Sequence, residues 1–173
     1  MTLEPDQLSE QGKQAFKNKK FDEAAELFDQ AAEGYTLRRD SLMSAEMQNN
    51  VSVALLQAGK PQESLTAALD TDRIFAEAKD IKRQGMALGN QAAALEALNR
   101  YDEATEKYDL AAQLFDQAGE GDLRAMVMKS SAAIKLKRGK VTDSAFKMMG
   151  SLDAKDNPSL FERILKYFLR FIK

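Results

Sequence analysis

Four blocks of the sequence return at one unvarying interval. Phe21-Asp22-Glu23-Ala24, Pro61-Gln62-Glu63-Ser64, Tyr101-Asp102-Glu103-Ala104 and Val141-Thr142-Asp143-Ser144 lie at successive offsets of 40 residues with no slippage. A basic residue precedes each block (Lys20, Lys60, Arg100, Lys140), and before it stand Lys19, Gly59, Asn99 and Gly139. A fixed period of this length marks a chain built from copies of one supersecondary unit, stacked so that neighbours complete each other's core.

Each unit reads as helix, tight turn, helix. In the first half of a unit apolar residues recur at helical spacing, as in Leu88, Ala92, Leu95 and Leu98, until Gly59, Asn99 or Gly139 supplies a residue able to take the left-handed conformation that ends a helix. The second half opens with acidic residues, which suit the positive end of a helix dipole. It continues with small and aromatic positions such as Ala24, Phe28 and Ala31, or Ala104, Tyr108 and Ala111. Asp22 to Arg38 and Asp102 to Ala118 keep the helical pattern to their ends, which places unit boundaries near Arg39-Asp40, Lys79-Asp80 and Gly119 to Asp122. With three prolines and many Ala, Leu, Glu, Lys and Gln, the chain has little material for strands.

These residues carry a family resemblance. Gly12, Ala24, Phe28 and Ala31 in the first unit, and Ala92, Ala104, Tyr108 and Ala111 in the third, occupy the small, small, aromatic and small positions of the tetratricopeptide repeat (TPR). Ser52, Ser64, Ala68 and Thr71 match less closely, and Ala132, Ser144 and Met148 less again. The chain thus resembles a long-helix TPR array, its period longer than the usual 34 residues. The resemblance implies an all-α, right-handed superhelical solenoid of four hairpins over residues 5–152, with units starting near 5, 45, 85 and 125. A C-terminal amphipathic helix at 157–173 follows.

The resemblance further implies a concave surface lined by the first helix of every unit, holding a peptide segment of a partner protein. The lining positions here are Lys13 and Lys17, then Asn49, Asn50 and Val53, then Met86, Asn90 and Ala93, and finally Met126, Lys129 and Ser130. Asn50 and Asn90 share one repeat position, followed by Ser130. Primary amides both donate and accept, so spaced amides can bind the main chain of an extended peptide with little regard to its sequence. Methionines adapt to varied apolar side chains, and lysines can pair with a ligand carboxylate. The alternative is that the asparagines merely solvate a helix face. The clamp by which some TPR co-chaperones grip an acidic chaperone tail is disfavoured, because of Ser9, Lys13, Asn50, Met86 and Asn90 at its positions only Asn50 matches.

The C-terminal segment is of another kind. Asn157-Pro158-Ser159 is a helix start, with Asn157 as cap and Pro158 in the first turn. Leu160, Phe161, Ile164, Leu165, Phe168, Leu169, Phe171 and Ile172 then fill, with Tyr167, an arc of about 200° at 100° per residue, opposite Arg163, Lys166, Arg170 and Lys173. Three readings are open for this face: a cap on the last hairpin, a contact with another copy of the chain, or an anionic membrane surface.

The net charge of -2 conceals a division. Residues 1–122 carry 13 basic and 23 acidic side chains, a balance of -10, whereas residues 123–173 carry 12 and 4, a balance of +8. Head-to-tail attraction between copies is one consequence. An acidic body and a basic tail without a base-stacking platform argue against nucleic acid.

The chain has neither cysteine nor histidine, which removes thiolate and imidazole chemistry. No glycine-rich phosphate loop or activated nucleophile stands in its place, and the reading is of a non-enzyme without cofactor. The acidic start lacks the features of a secretory signal, so a soluble cytoplasmic protein is expected. Met1 and the distinctive tail favour a complete chain.

Overall fold

A computed structural model of the protein describes residues 4–153, and the side chains of residues 4–139. The described chain is all-helical, without a strand. Its helices are α1 (Pro5–Lys17), α2 (Phe21–Leu37), α3 (Ser41–Gln57), α4 (Pro61–Ala68), α5 (Thr71–Glu77), α6 (Ile81–Ala97), α7 (Tyr101–Gln117) and α8 (Gly121–Asp153). The chain divides into two compact units, residues 1–131 and 132–173. The first holds α1 to α7 and the opening of α8, and the second contains the rest of α8.

The turns have a shorter period than the sequence. Left-handed backbone occurs at Lys19, Arg39, Gly59, Lys79, Asn99 and Gly119, every twentieth residue, with φ between 59° and 78°. At each turn the amide one residue further on reaches back across the helix end: Lys20 to the Ala15 carbonyl, Asp40 to Tyr35, Lys60 to Leu55, Asp80 to Phe75, Arg100 to Leu95 and Glu120 to Phe115, at 2.8–2.9 Å. This is the Schellman closure, which satisfies carbonyls that a helix end otherwise leaves bare. Glycine and asparagine were legible as turn residues. Lys19, Arg39 and Lys79 do the same work without glycine's freedom.

Consecutive helices pack on each other: α1 on α2, α2 on α3, α3 on α4, and α6 on α7. Small residues set the closeness. Gly12 in α1 lies against the Phe28 ring of α2, and Ser52 in α3 meets Ser64 in α4 at 3.0 Å between hydroxyls. Phe28, Ala31, Ala32, Met47, Val51 and Ala54 belong to one buried cluster spanning α2 and α3. Phe21, Pro61 and Tyr101 each begin a helix and are each half-buried.

The second unit departs from the pattern after Pro61. Its second helix breaks at Leu69-Asp70, where Asp70 is left-handed with φ 62°, and resumes as α5. The aromatic position of Phe28 and Tyr108 holds Ala68 here, and the break admits polar partners instead. The Ala68 carbonyl accepts from the Thr71 hydroxyl at 2.8 Å and from the Gln91 side-chain amide at 2.9 Å. Gln91 also donates to Asp72 at 2.7 Å, so the nitrogen of this buried amide has two acceptors.

The fourth hairpin is a correction to the sequence reading. Gly139 stands where the next left-handed turn falls due, yet α8 runs through it as one helix of 33 residues. An unbroken helix keeps every backbone hydrogen bond and needs no left-handed residue. A turn repays their loss only if the returning helix buries a large face.

Candidate interaction surface

The surface singled out by the resemblance centres on α3 and α6. Both helices start on an aspartate: the Asp40 carboxylate accepts from the Met43 amide at 3.0 Å, and that of Asp80 from the Arg83 amide at 2.9 Å. Such caps satisfy amides that have no partner within the helix. The Arg83 amide, with the Arg83 guanidinium beside it, holds the Asp80 carboxyl below the usual carboxylate range.

Arg83 joins α6 to its neighbours. Its Nε donates to Asp80 Oδ2 at 2.6 Å and its Nη1 to Glu46 Oε2 of α3 at 3.0 Å. The guanidinium carbon lies 5.2 Å from the centroid of the Phe75 ring in α5. Planar guanidinium suits this combination of forked pairing and stacking. Two turns further along α6, the Asn90 amide donates to Asn49 Oδ1 of α3 at 3.4 Å. The same oxygen accepts from the Thr71 hydroxyl at 3.3 Å. Arg83 was not among the residues that the sequence singled out, and Thr71 was noted only as a repeat position; the signal for Arg83 is its place three residues after a capping aspartate.

The candidate residues fall into separate groups. Asn50 and Val53 on α3, with Met86, Asn90 and Ala93 on α6, are half-buried or exposed beside the two bonds that join these helices. Asn49 faces inward, 8 % exposed. Because Asn90 donates to Asn49, the two amides at the shared repeat position are not equivalent; Asn50 has no side-chain hydrogen bond among the described residues. Lys13 and Lys17 are exposed on α1, where Lys13 pairs with Glu10 at 3.6 Å. Met126 and Lys129 are exposed on α8 and Ser130 is half-buried near Tyr108. Burial and a 2.9 Å hydrogen bond to Glu96 push the Tyr108 phenol up, against a smaller opposing effect of Ser130.

Clefts occur elsewhere. One of about 470 Å³ runs over α2, α3 and α4, lined by Ala25, Val51, Leu55 and Ala67 among polar residues. Another of about 520 Å³ is lined by Pro5, Leu8, Gly34 and Leu37 of α1 and α2. Neither includes a candidate residue. The C-terminal face of Leu160, Phe161, Ile164, Leu165, Phe168, Leu169, Phe171 and Ile172 lies outside the described residues.

Among the described residues no helix is long and apolar enough to cross a membrane. No protein-family model matches the chain, and no curated protein or solved structure matches it.

Proposed function

We propose that the chain is a non-catalytic, cytoplasmic interaction module. It is a right-handed solenoid of TPR-like hairpins whose first helices line a groove for a peptide segment of a partner protein. The observation that carries this reading is the pair of bonds between α3 and α6, Arg83 to Glu46 and Asn90 to Asn49. They fix the spacing of two first helices while Asn50, Val53, Met86 and Ala93 keep part of their surface open.

The roles divide by chemistry. Asn50 offers a donor and an acceptor to a peptide main chain, and Met86, 44 % exposed, offers a deformable apolar contact. Asn90 supports the frame more than the ligand. A rigid frame lowers the entropic cost of ordering a peptide on it.

Panning a random peptide library against the full chain tests the proposal. The expected result is a set of peptides whose Kd rises about ten-fold or more in the Asn50→Ala, Met86→Ala double variant, equivalent to about 1.4 kcal/mol, with thermal unfolding unchanged. Failure to enrich any peptide, or binding indifferent to both substitutions, refutes the groove.

A further inference from the structure

The flank of α8 that a fourth hairpin would cover is open. Leu8, Gln48, Leu88 and Met128 share one repeat position; Leu8 and Leu88 are 9 % and 5 % exposed and Gln48 is half-buried, whereas Met128 is 49 % exposed. Gly12, Ser52, Ala92 and Ala132 share the next position on that flank. The first three are buried and Ala132 is exposed. In the first two units this position meets the second helix of its own hairpin, Gly12 against the Phe28 ring and Ser52 against Ser64. Leu136, one turn beyond Ala132, is 61 % exposed.

The sequence names what fits there. Residues 141–153 stand in the register of the helices that begin at Phe21, Pro61 and Tyr101 and cover this flank in the preceding units. They carry Val141, Ala145, Met148 and Leu152 at the i, i+4, i+7, i+11 spacing of an amphipathic helix. Yet they belong to the same unbroken helix as Ala132. Ser144 is twelve residues beyond Ala132, about 18 Å along a helix axis, and a helix that does not turn cannot cover its own side.

We propose that the chain pairs with a second copy by reciprocal exchange. Residues 141–153 of each copy lie on the Met128, Ala132 and Leu136 flank of the other, forming the fourth hairpin in trans. Gly139, next in the series of turn positions, is the hinge: turned, it gives a closed monomer, and helical, it gives the exchanged dimer. Two identical faces that satisfy each other form a closed two-fold assembly and leave no open end. The partner is a second copy because the complementary register recurs within this chain. The inference does not depend on the groove.

Cross-linking decides it, and the chain has no cysteine to interfere. Ala132 and Ser144 are the counterparts of Ser52 and Ser64, whose hydroxyls touch. In the full chain carrying Ala132→Cys and Ser144→Cys, mild oxidation is expected to give a covalent dimer on a non-reducing gel. Mixing the two single-cysteine chains should give the mixed dimer. An intrachain link in a monomer, or no link, overturns the proposal.

A second variant reads the hinge. Val141→Pro places in α8 the residue that unit two has at Pro61, the first position of a helix. There it is tolerated at a helix start but breaks a continuous helix. It is expected to raise the dimer dissociation constant about ten-fold or more and to convert the cross-link to the intrachain form. Cross-linked dimer persisting undiminished in this variant also overturns the proposal.

Discussion

Gly85 of α6 lies so near Phe115 of α7 that a β-carbon at Gly85 would come within 2.8 Å of the ring carbon Cε1. Phe115 is buried, 2 % exposed, and its ring has little space into which to retreat. Alanine favours a helix over glycine by about 0.5–1 kcal/mol, while overpacking a core costs about 1–3 kcal/mol. Gly85→Ala is therefore expected to destabilise by about 1 kcal/mol in urea denaturation. Gly89, whose β-carbon would meet only Val127 at 3.7 Å, is the contrast: Gly89→Ala is expected to stabilise by about 0.5 kcal/mol.

Ser52 and Ser64 form a buried hydroxyl pair where the third unit has Ala92 and Ala104. Removing one hydroxyl strands the other in an apolar contact, whereas removing both recreates the third unit's packing. Each single alanine variant is expected to lose about 1 kcal/mol and the double variant almost nothing, a coupling that a double-mutant cycle measures directly. Additive losses would show that the pair is not acting as a unit.

Lys79 holds a left-handed φ of 59° at a position where Gly119 serves the next hairpin boundary. A side chain in that conformation costs about 1–2 kcal/mol, offset in part by the larger unfolded-state entropy of glycine. Lys79→Gly is expected to raise stability by up to about 1 kcal/mol, visible as a higher urea midpoint with unchanged slope. Gly119→Ala should move the midpoint the other way.

Tyr35 of α2 donates to Asp6 of α1 at 2.5 Å, and its phenol is pushed up to about 12, first by burial and then by that carboxylate. The folded state thus holds its proton more tightly than the unfolded chain does. Its contribution is fully present below pH 10 and is lost as pH rises from about 10 to about 12. Tyr35→Phe is expected to cost about 1 kcal/mol near neutrality. It should also flatten part of the alkaline loss of stability, which a urea series at several pH values would record.

The helical class was legible from its periodic apolar positions, and the turns at Gly59 and Asn99 from residues that accept a left-handed backbone, whereas Lys19, Arg39 and Lys79 carry no such mark of their own. The break at Leu69-Asp70 was partly legible: Ala68 in an aromatic position and the capping types Asp70 and Thr71 both signal it. The bond from Gln91 to the Ala68 carbonyl was not, since it joins residues 23 apart in sequence. The helix through Gly139 was misread because glycine permits a turn without requiring one, and the packing that rewards the turn lies elsewhere in the chain. At the candidate surface, spacing grouped Asn50 with Asn90, but only the approach of Asn49 shows that Asn90 is engaged in the frame.

The Schellman turns at Arg39 and Lys79 end their helices alike, and an aspartate cap follows each of them. A cut after Asp40 and another after Asp80 therefore present interchangeable chain ends. Segments could be copied or excised in whole forty-residue cassettes with every junction intact, so that length is a quantity this architecture can change in discrete steps during evolution or by design.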